Sequence, residues 1–157
     1  MITIVAEGDL LNDSADALVN PVNCVGVMGK GLAAQFKDAH PNAFRAYANA
    51  CAARTLRPGV LHVSRTQDNN QYIVHFPTKD HWRDSSRLSD IDTGLVDLVK
   101  IIGDLGILSI AVPALGTGLG GLKWADVEPV MLKHLEPLNV DVRLYPPRKV
   151  RPGENLG

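Results

Sequence analysis

Short runs of β-branched and apolar residues recur along the chain and predict six β-strands. Glycine, proline, asparagine and aspartate, which favour turns, lie between the runs. The predicted strands are ITIVA (2–6), ALVNPVN (17–23), GVLHVS (59–64), YIVHFP (72–77), SIAVPA (109–114) and VDVRLY (140–145). The polar segment QDNNQ (67–71) separates the third run from the fourth, so we expect these two strands to form an antiparallel hairpin.

Apolar residues spaced three and four apart predict helices in the gaps between strands. The first predicted helix follows Pro41, and the second follows Ser89, which together with Asp92 resembles a capping box. Their apolar positions are Phe44, Tyr47, Ala48 and Cys51 in the first helix, and Ile91, Leu95, Leu98 and Ile102 in the second. A third helix is predicted with Asp126 as its N-cap, which leaves Pro129 in the first turn, where a missing N–H is tolerated.

The alternation of strands and helices predicts an α/β fold with three layers (α/β/α) and a mixed, mostly parallel central sheet. A chain of 157 residues fits one domain, which we assign to residues 1–147. The remaining segment 148–157 (RKVRPGENLG) carries charges, proline and glycine and has little to bury. We therefore expect it to be a loosely held tail, or a linker that leads to a second domain.

Composition and charge argue against several classes of protein. A formal net charge of -1 does not suit a protein that binds duplex nucleic acid by neutralising many phosphates. The chain has no apolar run of the roughly 18 residues that a membrane span needs, and its start does not resemble a secretory leader. Cys24 and Cys51 are too few for a disulfide framework and lack metal-binding spacing. We expect a cytoplasmic protein with no membrane association, no bound metal and no cofactor.

Two glycine-rich segments follow predicted strands and precede helical patterns: NPVNCVGVMGKGLAAQF (20–36) and ALGTGLGGLKW (114–124). Ligands of open α/β sheets bind at the carboxyl ends of the strands, and glycine lets the backbone approach an anion closely. Two such loops at one sheet edge predict a site that holds a diphosphate. The second loop also matches GxGxxG, but the acidic residue that a dinucleotide site needs would be Asp141, which opens its strand. The first loop does not fit the P-loop pattern around Lys30.

Other residues near these loops suit a nucleotide. Asp9 follows the first strand and can accept a hydrogen bond from adenine N6, or cap a helix. Tyr145 ends the last strand and can stack on a purine, or pack in the core. Asn20 and Asn23 bracket a proline and can bind ribose hydroxyls, or form a turn. Jointly they indicate a site for adenosine diphosphate that carries a further sugar.

Lys79 follows the predicted strand YIVHFP, at the same edge as the two loops. This position makes Lys79 a candidate for an amine that takes part in catalysis. His81, Trp82 and Arg83 come just after it, so an aromatic ring and cationic groups are predicted beside the lysine.

These motifs together resemble a macrodomain: GDL after the first strand, NPVNCVGVMGKGLAAQF, the TK at 78–79, PALGTGLGGLKW and the closing VRLY. The resemblance covers residues 1 to about 146. Within this family, the motifs most specifically resemble macrodomains of the DNA ADP-ribosyl glycohydrolase antitoxin (DarG) type. These are related to the terminal ADP-ribose protein glycohydrolase branch. It implies the three-layer fold and ADP-ribose as the ligand.

Carried over to this sequence, the resemblance implies a contact for each part of ADP-ribose and a catalytic role for Lys79. Adenine would lie on Asp9, the adjacent Leu10 and Tyr145, the distal ribose on Asn23, Gly29, Lys30 and Gly31, and the diphosphate on Leu115, Gly116, Thr117, Gly118, Leu119, Gly120 and Gly121. The implied substrate is single-stranded DNA carrying ADP-ribose on thymine. For such a substrate we hypothesise that His81, Trp82 and Arg83 form a lip that holds the DNA strand, with Trp82 stacking on a base; the alternative is that Trp82 packs against the last helix. The implied partner is a cognate DNA ADP-ribosyltransferase toxin, for which this protein is the antitoxin, with a role in DNA repair.

One position departs from the family pattern. The protein-directed relative has an aspartate that assists the lysine where this chain has Gly120, which favours the DNA-directed branch. A non-catalytic ADP-ribose reader and a hydrolase of protein-linked ADP-ribose remain as alternatives. The role of Lys79 also stays open: its ammonium can stabilise or protonate the departing base, or a neutral amine can attack C1 of the ribose or its opened aldehyde.

Overall fold

A computed structural model of the chain describes residues 1–148 and contains one six-stranded sheet in the order β1-β6-β5-β2-β4-β3. The strands are β1 (Ile2–Ile4), β2 (Ala17–Val22), β3 (His62–Arg65), β4 (Tyr72–Pro77), β5 (Ser109–Pro113) and β6 (Asp141–Tyr145). Neighbouring strands are parallel except β3 and β4, which form the hairpin around segment 67–71. The predicted mixed, mostly parallel sheet is confirmed. The predicted tail lies outside the described residues from position 149 onwards.

Four helices cover the two faces of the sheet: α1 (Gly31–Ala39), α2 (Pro41–Ala52), α3 (Leu88–Leu105) and α4 (Trp124–Leu135). Alternate side chains of the central strands enter different cores. In β2, Val19 packs with residues of α3 and α4, whereas Leu18 packs with Phe36 of α1. The three predicted layers are therefore confirmed. None of these helices combines the length and the hydropathy needed to cross a membrane.

Helix α3 lies close to the sheet because its inward face carries a glycine. Its predicted apolar positions, Ile91, Leu95, Leu98 and Ile102, are all buried. Between them, Gly94 faces the ring of Phe76 in β4, and a Cβ atom added at Gly94 would lie 2.4 Å from the ring carbon Cζ. Phe76 is itself fully buried, so the ring has little space into which it can move.

Two helix starts differ from the sequence prediction. Helix α3 begins at Leu88 with Arg87 as its N-cap, so the predicted capping box at Ser89 is wrong. Helix α4 begins at Trp124 with Lys123 as its N-cap, so Asp126 lies inside the first turn. Pro129 is consequently in the helix interior, where it removes a main-chain hydrogen bond. In both segments more than one polar residue could serve as the N-cap. The helix begins earlier in the chain than the spacing of apolar residues predicts.

Candidate active site

A pocket of about 1760 Å³ opens at the carboxyl ends of the parallel strands. Five loops line it: residues 5–10 after β1, 23–33 after β2, 78–83 after β4, 114–120 after β5, and 145–148 at the end of β6. This edge is the one that the topology of an open α/β sheet selects for ligands. The volume exceeds the roughly 300–1,000 Å³ of an ordinary small-molecule pocket, so it has room for an extended ligand and a group attached to it.

The first glycine-rich loop is organised by the side chain of Asn23. Its Oδ1 accepts hydrogen bonds from Val25 N (3.1 Å) and from the Tyr47 hydroxyl (2.8 Å), and its Nδ2 donates to Val27 O (2.8 Å). Asn23 lines the pocket, but most of its hydrogen-bonding capacity is used inside the protein. These contacts fit the turn-forming role that the sequence left as the alternative, and the contact of Asn23 with a ribose stays a prediction.

Asn20 does not lie where the sequence prediction put it. Its side chain is fully buried in β2 and is absent from the pocket lining among residues 1–148. Its Nδ2 lies 3.3 Å from His75 Nδ1 in the neighbouring strand and 3.9 Å from Met28 Sδ. The predicted contact between Asn20 and a ribose is therefore wrong. Successive side chains of β2 point to opposite faces of the sheet, and that of Asn20 lies beneath the first loop.

Gly29, Lys30 and Gly31 line the pocket where α1 begins. Lys30 is the N-cap residue, and it makes no side-chain cap bond. No described side chain therefore caps this helix start, whose N–H groups have no intrahelical partner. These groups are suited to an anion at the adjacent pocket wall, as the glycine pattern predicts.

Part of the second glycine-rich loop also faces the pocket. Gly116, Thr117, Leu119 and Gly120 line it, whereas Leu115 is buried in the core and Gly118 and Gly121 lie outside the lining within residues 1–148. Gly116 has a φ of +75°, a left-handed conformation that favours glycine. Four of the seven residues predicted to contact the diphosphate therefore face the pocket, and the contacts themselves stay a prediction.

Tyr145 at the end of β6, and Asp9 and Leu10 in the loop after β1, all line the pocket, and β6 and β1 are neighbouring strands. Asp9 caps a 3-10 turn through hydrogen bonds from Leu11 N (3.1 Å) and Asn12 Nδ2 (3.2 Å), yet it remains exposed. The Tyr145 hydroxyl donates to Asp13 Oδ2 at 2.6 Å. Burial and this hydrogen bond raise the pKa of Tyr145 to about 12. The phenol is therefore anchored behind the pocket while its ring lines the wall.

Lys79 lies at the mouth of the pocket, where its Nζ donates to Leu119 O of the second loop at 3.4 Å. The surrounding backbone is bonded to the first loop, because Thr78 N donates to Val22 O and Cys24 N to Asp80 O, at 2.9 and 2.8 Å. Within residues 1–148, Lys79 forms no ion pair with a carboxylate. The amine thus bridges toward the second loop without an acidic partner.

The lip formed by His81, Trp82 and Arg83 lies beside Lys79. Trp82 is 52% exposed and lines the pocket, so it is not buried against α4. The guanidinium of Arg83 lies 5.2 Å from the centre of its ring. His81 is outside the pocket lining among the described residues, and its Nδ1 accepts a hydrogen bond from Arg83 N at 3.1 Å. The structure thus brings Trp82 and Arg83 to the pocket, while His81 supports the turn.

Several lining residues were not singled out from the sequence. Glu7 and Gly8 precede Asp9, Thr78 precedes Lys79, and Trp124 ends the second glycine-rich segment. Each of them adjoins a residue or motif that the sequence predicts to lie at the site, and this position could have identified it. Gln35 of α1 also lines the pocket, and nothing in its local pattern identifies it.

The fold and this site belong to a known family. A family model described as the Macro domain matches residues 19–131, so the chain belongs to the macrodomain family. Within it, the resemblance to macrodomains of the DarG type is confirmed. The chain is 49% identical to the macrodomain of Mycobacterium tuberculosis DarG, with a TM-score of 0.90, over 94% of this chain and 98% of that one.

Two longer proteins are also similar. A curated DNA ADP-ribosyl glycohydrolase of Mycobacterium tuberculosis is 49% identical over 150 residues, which are 94% of this chain but 42% of that protein. The structure of Thermosipho africanus DarTG in complex with ADP-ribose is 36% identical with a TM-score of 0.87, over 96% of this chain and 43% of that one. The chain therefore spans less than half the length of these two relatives.

Proposed function

We propose that this macrodomain is a hydrolase that removes ADP-ribose from thymine bases of single-stranded DNA, and that it acts in the cytoplasm as the antitoxin of a DNA ADP-ribosyltransferase toxin. The observation that carries the proposal is the position of Lys79, whose Nζ reaches Leu119 O at the mouth of a pocket bounded by both glycine-rich loops. The name and ADP-ribose complex of the longer relatives support the ligand and the reaction.

The shape of the pocket supports ADP-ribose as the part of the substrate that is bound inside. The ring of Tyr145 and the exposed carboxylate of Asp9 suit adenine at one end. The start of α1 and the turn through Gly116 and Thr117 suit the diphosphate. A distal ribose then falls near Lys79, with its C1 directed to the mouth.

The rim supports an unpaired base as the attached group. Trp82 offers an exposed ring to stack on, and the Arg83 guanidinium beside it suits a phosphate. Val27 and Leu119 also line the pocket and are 45% and 58% exposed. An apolar rim with a few cations suits one strand of DNA, because a base within a duplex would have to leave its stack to reach Lys79.

The reaction breaks the bond between the ribose C1 and a nitrogen of thymine, returns a proton to the base, and joins a water oxygen to C1. A positively charged Lys79 would stabilise or protonate the departing base. A neutral Lys79 would instead attack C1 and displace the base, which takes up a proton; the lysine adduct then opens to an imine of the ribose aldehyde, and water hydrolyses this imine to free ADP-ribose and lysine. Borohydride separates the two roles, because it reduces an imine between lysine and the aldehyde to a stable adduct, which a mass spectrum detects at Lys79.

The test of the proposal compares the wild type with Lys79→Ala on a single-stranded oligonucleotide ADP-ribosylated on thymine and on a peptide ADP-ribosylated on glutamate. We expect wild-type release from DNA, and a loss of about a hundredfold or more in Lys79→Ala while ADP-ribose still binds. Lys100→Ala, an exposed lysine on α3, is the matched control. Release from the peptide alone would favour the protein-directed hydrolase, and binding without release from either substrate would favour the reader.

The antitoxin role is tested in cells. Expression of a DNA ADP-ribosyltransferase of the toxin type with this protein should permit growth, and expression of the same toxin with Lys79→Ala should not. Growth with both variants would contradict an antitoxin role that depends on catalysis. It would point instead to protection through binding.

A further inference from the structure

Ser86 lies directly beneath the second glycine-rich loop, where α3 is about to begin. It is 5% exposed, and its N–H donates to Gly120 O at 2.9 Å. Its Oγ is buried and has no hydrogen-bond partner among residues 1–148. A buried hydroxyl without a partner is costly, so its retention calls for an explanation other than a hydrogen bond.

The position of Ser86 explains why residue 120 is a glycine. Gly120 is not among the described glycines with positive φ, so its backbone conformation does not itself require glycine. A Cβ atom added at Gly120 would lie 2.4 Å from Ser86 Oγ and 3.1 Å from Ser86 Cβ. The hydroxymethyl group of Ser86 therefore occupies part of the space that a side chain at position 120 would need, and such a side chain would force Ser86 Oγ to rotate and the two Cβ atoms to move apart by a few tenths of an ångström.

The same contact is linked to Lys79. Two consecutive carbonyl groups of the second loop accept hydrogen bonds from the two ends of segment 79–86: Leu119 O from Lys79 Nζ, and Gly120 O from Ser86 N. A shift of Gly120 by a few tenths of an ångström moves Leu119 O with it, because the two residues are adjacent. The distance between Lys79 and the loop thus depends on how closely Gly120 packs on Ser86.

We propose that Ser86 is a positioning residue of the active site, which holds the second loop at the distance that Lys79 requires and disfavours a side chain, including a carboxylate, at position 120. The proposal deepens the proposed function and rests on it for the readout of rate. It also gives a physical reason why Lys79 has no acidic partner from this loop.

A double-mutant cycle tests the contact. Gly120→Ala alone should slow release of ADP-ribose from thymine-modified DNA by about tenfold or more, because Ser86 and the new Cβ cannot both keep their places. Ser86→Gly alone should also slow release, by about threefold or more, because the second loop loses the side chain on which Gly120 packs. In the double variant the alanine Cβ can occupy the vacated space, so the double variant should be faster than Gly120→Ala. Ser86→Ala should rescue Gly120→Ala only in part, because it removes the 2.4 Å contact and keeps the 3.1 Å contact.

Three measurements separate positioning from general damage to the fold. Melting temperatures show whether each variant is folded, while kcat and the affinity for ADP-ribose report on the site. Gly103→Ala and Ser85→Gly are matched controls, since Gly103 has no described atom near a new Cβ and Ser85 is exposed beside Ser86. We expect Gly120→Ala to lower kcat and weaken ADP-ribose binding, and the addition of Ser86→Gly to restore both in part.

Wild-type rate and affinity in Ser86→Gly, or a double variant that is as impaired as Gly120→Ala or more so, overturns the proposal. If the wild type releases nothing from DNA, the proposed function fails, and the cycle is then decided by the affinity for ADP-ribose. Coupling in that affinity would support the positioning role of Ser86. Absence of coupling there would refute it independently of any activity.

Discussion

Gly94 of α3 provides a sharp test of how the helix packs above the sheet. In Gly94→Ala, the new Cβ would lie 2.4, 2.7 and 3.1 Å from three carbon atoms of the Phe76 ring, which is fully buried. Alanine gains about 0.5–1 kcal/mol over glycine from helix propensity, but overpacking of a tight core costs about 1–3 kcal/mol. We expect a net loss of about 1–2 kcal/mol in the free energy of unfolding.

Thermal unfolding followed by calorimetry or circular dichroism measures this loss. A chain of this size shifts in melting temperature by about 2–4 °C per kcal/mol, so the expected decrease is several degrees. Gly103→Ala in the same helix is the control, because its Cβ would meet no atom within 4 Å in the part of the chain that the structure describes. It should leave stability unchanged or raise it by about 0.5 kcal/mol. If Gly94→Ala were as stable as Gly103→Ala, the close packing of α3 on Phe76 would be refuted.

Two further predictions concern the lip and the buried histidine. Trp82→Ala should raise KM for modified single-stranded DNA by about tenfold while the affinity for free ADP-ribose stays the same, since a stacked base contributes about 1–3 kcal/mol; unchanged hydrolysis in a folded variant would rule out the lip. Burial, with a smaller effect of His62, lowers the pKa of His75 to about 3. The unfolded chain therefore takes up a proton near pH 6.5 that the folded chain takes up only near pH 3, and stability is lost as the pH falls through this window. Urea unfolding should show a loss of about 2 kcal/mol from His75 between pH 6.5 and 5, and His75→Gln should flatten this slope; an equal slope in both would contradict the assignment.

The sequence predicts the strands and the sheet edge well because both depend on local patterns. The segment YIVHFP, for example, becomes β4 with the predicted bounds, and Lys79 follows it at the pocket. Helix caps are less predictable, since Arg87 caps α3 although Ser89 has the better side chain for it.

Contacts between distant segments are outside the reach of such patterns. The sequence predicts Asn20 to be a pocket residue, but the pairing of β2 with β4 places it opposite the buried His75. No local sequence pattern identifies Ser86, because its importance arises only when Gly120 packs over it in the folded chain. Both cases require knowledge of which strand or loop lies next to which, and the local spacing of apolar residues does not contain it.

Lys79 donates its hydrogen bond to a main-chain carbonyl, and this affects which substitutions the contact tolerates. The side chain of Leu119 points largely to solvent, and any residue at that position offers the same carbonyl oxygen. Substitutions at 119 can therefore accumulate without loss of the contact. A search for a side chain that accompanies the lysine would miss this partner, because the carbonyl oxygen belongs to the main chain whichever residue stands at 119.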